Sequence, residues 1–298
     1  MDPAFHTQLI IGHRRVRLSL FPFLSSSLDQ MFHLRAILPV LLLGAASAFL
    51  TGKSTFVPHH FHVANQHGSA LQMAYKKVFV AGGTKGVGRF VVDKLAGTGI
   101  EVVALARSEE GVAELNAIDG VTAVAGDAFD QKSVENAMDG CDAAITTLGG
   151  STDDRRVDYE GNNNVIESAG ILGVQRIILV TSIGCGSSKE AAPPSVFEVL
   201  KDVLAAKEKA ENILIKYYTN SNWTIIRPGG LKTEPMTGHA ILTEDNTAIG
   251  SIHREDVADL VVRALNSPAT ERKVLTAIDP SITSSVAVEG KEIAAFAL

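Results

Sequence analysis

The segment Val80-Ala81-Gly82-Gly83-Thr84-Lys85-Gly86-Val87-Gly88-Arg89 leaves this chain few folds to choose from. Ahead of it, Lys76–Ala81 is a short run of β-branched and aromatic residues, the pattern of a strand. Behind it, from Gly88 to Leu95, the apolar residues Val87, Val91 and Leu95 recur at the four-residue spacing of a helix. The glycines at 82, 86 and 88 therefore join a strand to a helix. One glycine permits the tight turn, one lets the backbone approach a pyrophosphate with no Cβ in the way, and one lets the helix pack closely on the sheet. A phosphate would then rest on the unpaired N–H groups of the helix N-terminus. The context of strand and helix, more than the glycine spacing, gives the motif its weight.

The alternation continues along the chain. Glu101–Ala106, Val121–Ala125 and Ala143–Thr147 read as strands with helical segments between them, and Val157–Leu172 reads as a helix. Gln175–Thr181 is a strand almost wholly apolar in its centre, as expected where helices cover both faces of a parallel sheet. Val196–Tyr218 is a long helical stretch, and Trp223–Arg227 a strand stopped by Pro228-Gly229-Gly230. Arg254–Leu265 is a helix with Ser251 as its expected N-cap, and Lys273–Ile278 is a last strand. Right-handed βαβ units in this order predict an α/β fold: a Rossmann-type doubly wound parallel sheet, one domain over residues 74–298.

The end of the second strand bears on the nucleotide. A site for NAD usually places an acid about 20 residues after the glycines, to hold the ribose 2′-hydroxyl. Here the strand ends at Arg107-Ser108, with Glu109 and Glu110 just beyond. A carboxylate would repel a 2′-phosphate, whereas a guanidinium pairs with it and stacks on adenine, so the expected cofactor is NADP(H). Gly82, Thr84, Lys85, Gly86, Val87 and Gly88 are the expected phosphate turn. Asp127, after the third strand, either accepts from the adenine amino group or caps the following helix. Thr147, Leu148 and Gly149 after the fourth strand, and Ser182 after the fifth, lie where ligands of open α/β sheets bind. Ser182 is placed to hydrogen-bond a substrate. His239 and His253 read as structural, and Asp256 as the fixer of a turn or cap. There is no H-E-x-x-H, C-x-x-C or similar spacing, so no metal is expected. Cys185 lies in a Gly-rich loop with no thiolate stabiliser near it in sequence.

The first 73 residues obey different rules. They hold 5 Lys/Arg and 2 acids, against 22 and 31 in the rest, and seven of the nine His. Met31-Phe-His-Leu-Arg35, an apolar run Ala36–Leu43 and Ala46-Ser47-Ala48 make a secretory signal peptide, too short for a membrane span. Thr51–Tyr75 is free of acids, as transit peptides are. The junction Ala45-Ala-Ser-Ala-Phe49 resembles the bipartite plastid presequence of algae with secondary plastids. Residues 31–48 are thus expected to be a signal peptide and 49–73 a transit peptide to the chloroplast stroma, with 1–30 an extension upstream of the true start at Met31. No transmembrane anchor is expected in the mature chain. The net charge of −6 argues against a nucleic-acid partner held by a broad basic surface.

The glycine turn, Gly126-Asp127, Val180-Thr-Ser182-Ile-Gly184, Thr224-Ile-Ile-Arg-Pro-Gly229 and Ile252-His-Arg-Glu-Asp256-Val-Ala258 together resemble the atypical short-chain dehydrogenase/reductases. More narrowly, they are similar to the NAD(P)H-binding, NmrA-like group that includes plastid NADP-binding proteins and flavin or biliverdin reductases. The resemblance covers about residues 76–286. It implies a Tyr-x-x-x-Lys pair, in which the Tyr moves a proton and the Lys holds the nicotinamide ribose. Lys207 stands at the lysine position, but the residue four before it is Val203. The expectations are an NADPH-dependent reductase of a small conjugated acceptor, with Lys207 and Ser182 as its catalytic candidates, or a non-catalytic NADP(H)-binding sensor or assembly factor that docks on a plastid protein. An epimerase- or dehydratase-like enzyme is a third reading.

Overall fold

The computed structural model describes residues 75–150, 155–282 and 292–298. The targeting segments expected at 1–73 lie outside them. Seven parallel strands form most of an eight-stranded sheet: β1 (Lys77–Ala81), β2 (Glu101–Ala106), β3 (Val121–Ala125), β4 (Ala143–Thr146), β5 (Arg176–Val180), β6 (Asn222–Pro228) and β10 (Lys273–Ile278). The spatial order is β3-β2-β1-β4-β5-β6-β10, and β8 (Ile241–Thr243) closes the far edge antiparallel to β10. Between them run α1 (Gly86–Ala96), α2 (Glu109–Asn116), α3 (Gln131–Met138), α4 (Asn162–Leu172), α5 (Pro194–Tyr217) and α6 (Arg254–Leu265). The chain order reverses between β1 and β4, and the C-terminal ends of these strands open a crevice there.

Residues alternate sides along each strand. In β1, Val78 and Val80 join the layer of α1 and α6, with Val91, Leu95, Val257 and Val261. Phe79 and Ala81 join the opposite layer of α3, α4 and α5, with Met138, Ile166, Leu214 and Trp223. Both faces being covered, the strands have no polar side, which is why they read as continuous apolar runs. Arg176, the first residue of β5, is buried all the same. Its guanidinium donates to the last carbonyls of α6, Ala264 (2.5 Å) and Leu265 (3.1 Å), and to Asn222 O, Thr224 Oγ1 and Thr270 Oγ1. Burial lowers its pKa to about 10, so it stays charged at neutral pH and caps the negative end of α6.

Some expectations are corrected. Ser251 belongs to a short strand β9 (Ser251–His253), which pairs with β7 (Gly230–Lys232), and the N-cap of α6 is His253, whose side chain makes no capping bond. Asp127 does not cap α3. Asp130 does, accepting from Lys132 N (3.2 Å), while Asp127 Oδ1 takes Phe129 N (3.0 Å) in a local turn. The helix expected from Val157 opens with a π-helical segment, Val157–Gly161, before becoming regular at Asn162. The strand edge beyond β10 and the β7–β9 pair were not read from sequence at all, because three-residue strands carry too little pattern.

Candidate functional site

A cavity of about 1000 Å³ occupies the crevice at the strand ends. The first turn of α1 forms one end of it. Gly82 has φ +84°, which a side chain rarely adopts, and a Cβ at Gly88 would stand 2.1 Å from Gly82 O. These two glycines close the turn. Gly86 differs, since a Cβ there would meet nothing within 4 Å. That open space, over a helix start with no side-chain cap and no acid in its first turn, fits the pyrophosphate of a dinucleotide. Thr84, Lys85 and Val87 line the same wall. Thr147 ties it to β4 by donating to Ala81 O (3.1 Å) and Gly82 O (3.3 Å).

Arg107 is exposed at the tip of β2 and lines the cavity with Gly126 and Asp127 from the end of β3. Among the described residues it makes no ion pair. Ser108 caps α2, accepting from Gly111 N (3.1 Å). That places Glu109 and Glu110 in the first turn of α2, where the helix dipole favours acids and away from the cavity lining.

At the other end, Leu148, Gly149 and Gly150 meet Lys207 of α5. Its Nζ is 2.7 Å from Oδ1 of Asp158 and donates to Leu148 O (3.3 Å). Asp158 is fully buried in the π-helical turn, and its Oδ2 accepts from Gly150 N (3.0 Å). The sequence reading missed Asp158. Its only signal is an acid at the start of an apolar helix, which any N-terminal turn can carry. The π-helical turn that presents it is a feature often found at functional sites. Val203 lines the cavity one turn before Lys207, so the tyrosine position of the Tyr-x-x-x-Lys pair faces the cavity with no proton to give.

Beneath Lys207 lies a second missed feature. Glu211, one helical turn on, pairs bidentately with Arg227 of β6 (Nε–Oε1 3.0 Å, Nη2–Oε2 2.7 Å) and accepts from Thr181 Oγ1 (2.6 Å). Arg227 also donates to Ser187 (3.0 Å). The pair fixes the register of α5 against the sheet, and with it the position of Lys207. Thr181 and Ser182 line the cavity, and the Ser182 hydroxyl donates to Ile183 O (3.0 Å), with no base within its hydrogen bonds. Cys185 is fully buried, and burial pushes its thiol up to about 12, which removes it from the chemistry. Asp256 does fix a turn, accepting from Thr237 N (2.9 Å) and Gly238 N (3.0 Å).

A doubly wound sheet with a glycine turn at an uncapped helix start defines a dinucleotide-binding protein of the Rossmann class. The chain belongs to the NAD(P)H-binding family, whose profile matches residues 82–268, in the NmrA-like, atypical short-chain dehydrogenase/reductase group. It is similar to the uncharacterized sugar epimerase YhfK of Bacillus subtilis, 33% identical over 203 residues, spanning 66% of this chain and 91% of that one. It is also similar to the Arabidopsis thaliana protein At2g34460, chloroplastic, 32% identical over 67% of this chain and 75% of that one. Among solved structures, ChuY, an anaerobillin reductase from Escherichia coli O157:H7, superposes with a TM-score of 0.64 at 29% identity, covering 70% of this chain and all of ChuY. Among the described residues no helix is long and apolar enough to cross a membrane.

Proposed function

We propose that the protein is an NADPH-dependent reductase of a small conjugated acceptor, working in the plastid stroma. The observation that carries the reductase reading is the cavity beyond Lys207. Its lining also includes Val180, Val203, Pro228 and Leu231, which offer apolar sides to a second molecule. Arg254, held by Thr233 Oγ1 (2.8 Å), offers a cation at its rim for an acidic substituent. A bound nicotinamide would supply the hydride. The chain's own part is to hold it: the α1 turn at the phosphates, Arg107 at a 2′-phosphate, Asp127 near the adenine, and Thr147, Leu148, Gly149 and Lys207 at the nicotinamide ribose. A conjugated acceptor takes hydride at one atom and a solvent proton at another, so Val203 does not block this reaction. The likeness to ChuY supports the reductase reading, and the chloroplastic relative and the composition of residues 1–73 support the plastid.

Val203 also favours a second reading, a protein that binds NADP(H) without turnover and signals its redox state to a plastid protein partner. The test is a titration of the full chain with NADPH and NADH, following energy transfer from Trp223, the single tryptophan. Wild type should prefer NADPH, and Arg107→Glu should lose about 10- to 100-fold in NADPH affinity, the worth of a charge-assisted bond. Acceptor-dependent NADPH oxidation with flavins, linear tetrapyrroles and quinones then separates the readings. Equal affinity for both nucleotides in wild type removes Arg107 from the argument. Tight NADPH binding with no oxidation by any acceptor leaves the sensor.

A further inference from the structure

We infer that His253, Asp256 and Asp279 form a binding site for a divalent transition metal of the zinc class, behind the wall of the cavity rather than in it. The three come from the start of α6 and the end of β10, and the atoms they offer lie within 4.8 Å of one another. All three residues are buried, His253 being 9% exposed. His253 Nδ1 takes part in no hydrogen bond and faces Asp256 Oδ2 at 3.6 Å. In a tetrahedral zinc site with bonds of about 2.0–2.2 Å, ligand atoms stand about 3.3–3.6 Å apart. The His253–Asp256 spacing meets this, and a small inward shift of Asp279 completes three ligands, leaving a fourth position for water.

Charge argues the same way. Asp256 accepts from Thr237 N and Gly238 N, and Asp279 accepts from Ser281 N, Ser281 Oγ and Thr237 Oγ1. Among the described residues no Lys or Arg pairs with either carboxylate, and the donors they have are neutral hydroxyl and backbone groups. Two buried carboxylates beside an imidazole nitrogen with no hydrogen-bond partner make a donor set that a divalent cation would satisfy. Imidazole with carboxylates suits zinc and its neighbours better than calcium or magnesium. A Glu234 oxygen lies 3.6 Å from His253 Nε2, where a carboxylate can orient a ligating histidine from behind. The site would pin the segment Gly229–Ala240 to α6 and β10. Both carboxylates hold Thr237 of that segment, and Leu231 and Thr233 of the same segment line the cavity, so the metal would be structural and would stiffen the acceptor wall. The spacing of ligands in sequence hides this site, because Asp279 is brought beside it by the fold, its N–H donating to Ser251 O (2.9 Å).

The test uses the full chain, stripped by a chelator and given Zn²⁺ alone in competition with a chromophoric chelator. The seven N-terminal histidines contribute the same background to every variant. His253→Ser is the decisive variant, since Ser is a better N-cap than His and keeps α6 intact. Wild type should retain one zinc equivalent more than His253→Ser and gain thermal stability on zinc addition, which His253→Ser does not. Glu234→Gln should keep the site but weaken it about 10- to 100-fold. Co²⁺ should give a visible d–d band lost in His253→Ser. Equal zinc retention and an equal thermal response in wild type and His253→Ser would overturn the site.

Discussion

Glu211→Ala tests the idea that a buried ion pair beneath the cavity holds α5 in place. Arg227 is 4% exposed, and Glu211 supplies the carboxylate its guanidinium meets. Removing that carboxylate leaves a buried cation with the Ser187 and Ser188 hydroxyls as its remaining side-chain partners. Breaking a buried pair from one side costs about 3–5 kcal/mol. The lost bond from Thr181 adds about 1 kcal/mol. Against a total stability of about 5–15 kcal/mol, this is a large fraction. For a domain of this size each kcal/mol moves the melting temperature by about 2–4 °C, so Tm should fall by roughly 10–20 °C. Replacing both partners by apolar residues of similar volume, Glu211→Leu with Arg227→Met, removes both desolvation penalties and should recover most of the loss. Circular dichroism melts of wild type, the single variant and the double variant give the comparison. A single variant within about 3 °C of wild type, or a double variant less stable than Glu211→Ala alone, would refute the reasoning.

Gly88→Ala should abolish nucleotide binding and cost about 1–3 kcal/mol or more in a melt, because its Cβ lands on Gly82 O. Gly86→Ala, with open space but φ +61°, should cost only about 1 kcal/mol of stability while still weakening NADPH, measured by the same titration. Cys141 and Cys185, pushed by burial to about 11 and about 12, should resist a disulfide reagent at pH 8 in the native chain and react on unfolding; rapid native labelling would contradict their burial. Burial alone would raise the Asp279 carboxyl, but hydrogen bonds from Ser281 and Thr237 together with the His239 charge hold it below its ordinary value. A depressed folded pKa means stability that is present above the unfolded value and lost as pH falls through the folded one. In chelator-stripped protein, Asp279→Asn should therefore flatten the acid limb of the stability curve below about pH 4.

Much of this was legible because it is periodic. The strand–glycine–helix start and the alternation through Lys273–Ile278 are patterns that burial on both faces of a parallel sheet imposes over many residues. Arg107 was legible because it ends a strand whose position was clear. Asp158 and Glu211 were not. One sits in a π-helical turn and the other is a single acid in a Lys- and Glu-rich helix, and each takes its place beside the cavity only through a partner elsewhere in the chain, Lys207 and Arg227. Ser251 misled for the same reason. A short strand claimed it, and the cap fell two residues later on a histidine.

Val203→Tyr separates the two classes of acceptor. Of the two catalytic candidates, Lys207 has its charge answered by Asp158 at 2.7 Å and Ser182 has its hydroxyl spent on Ile183 O. Neither is free to protonate an alkoxide as it forms, so on the proposed reductase reading wild type should reduce only acceptors that draw their proton from water. Restoring a phenol one turn before Lys207 supplies a general acid, worth about 10²–10⁴ in rate where proton transfer accompanies hydride transfer. The variant should gain activity toward simple ketones and change little toward a flavin or quinone, whose protons exchange with solvent unaided. NADPH oxidation measured with both acceptor types in wild type and variant gives the ratio. An equal gain toward both, or no gain toward ketones in a variant that still binds NADPH, would mean that Val203 does not occupy the proton-donor position.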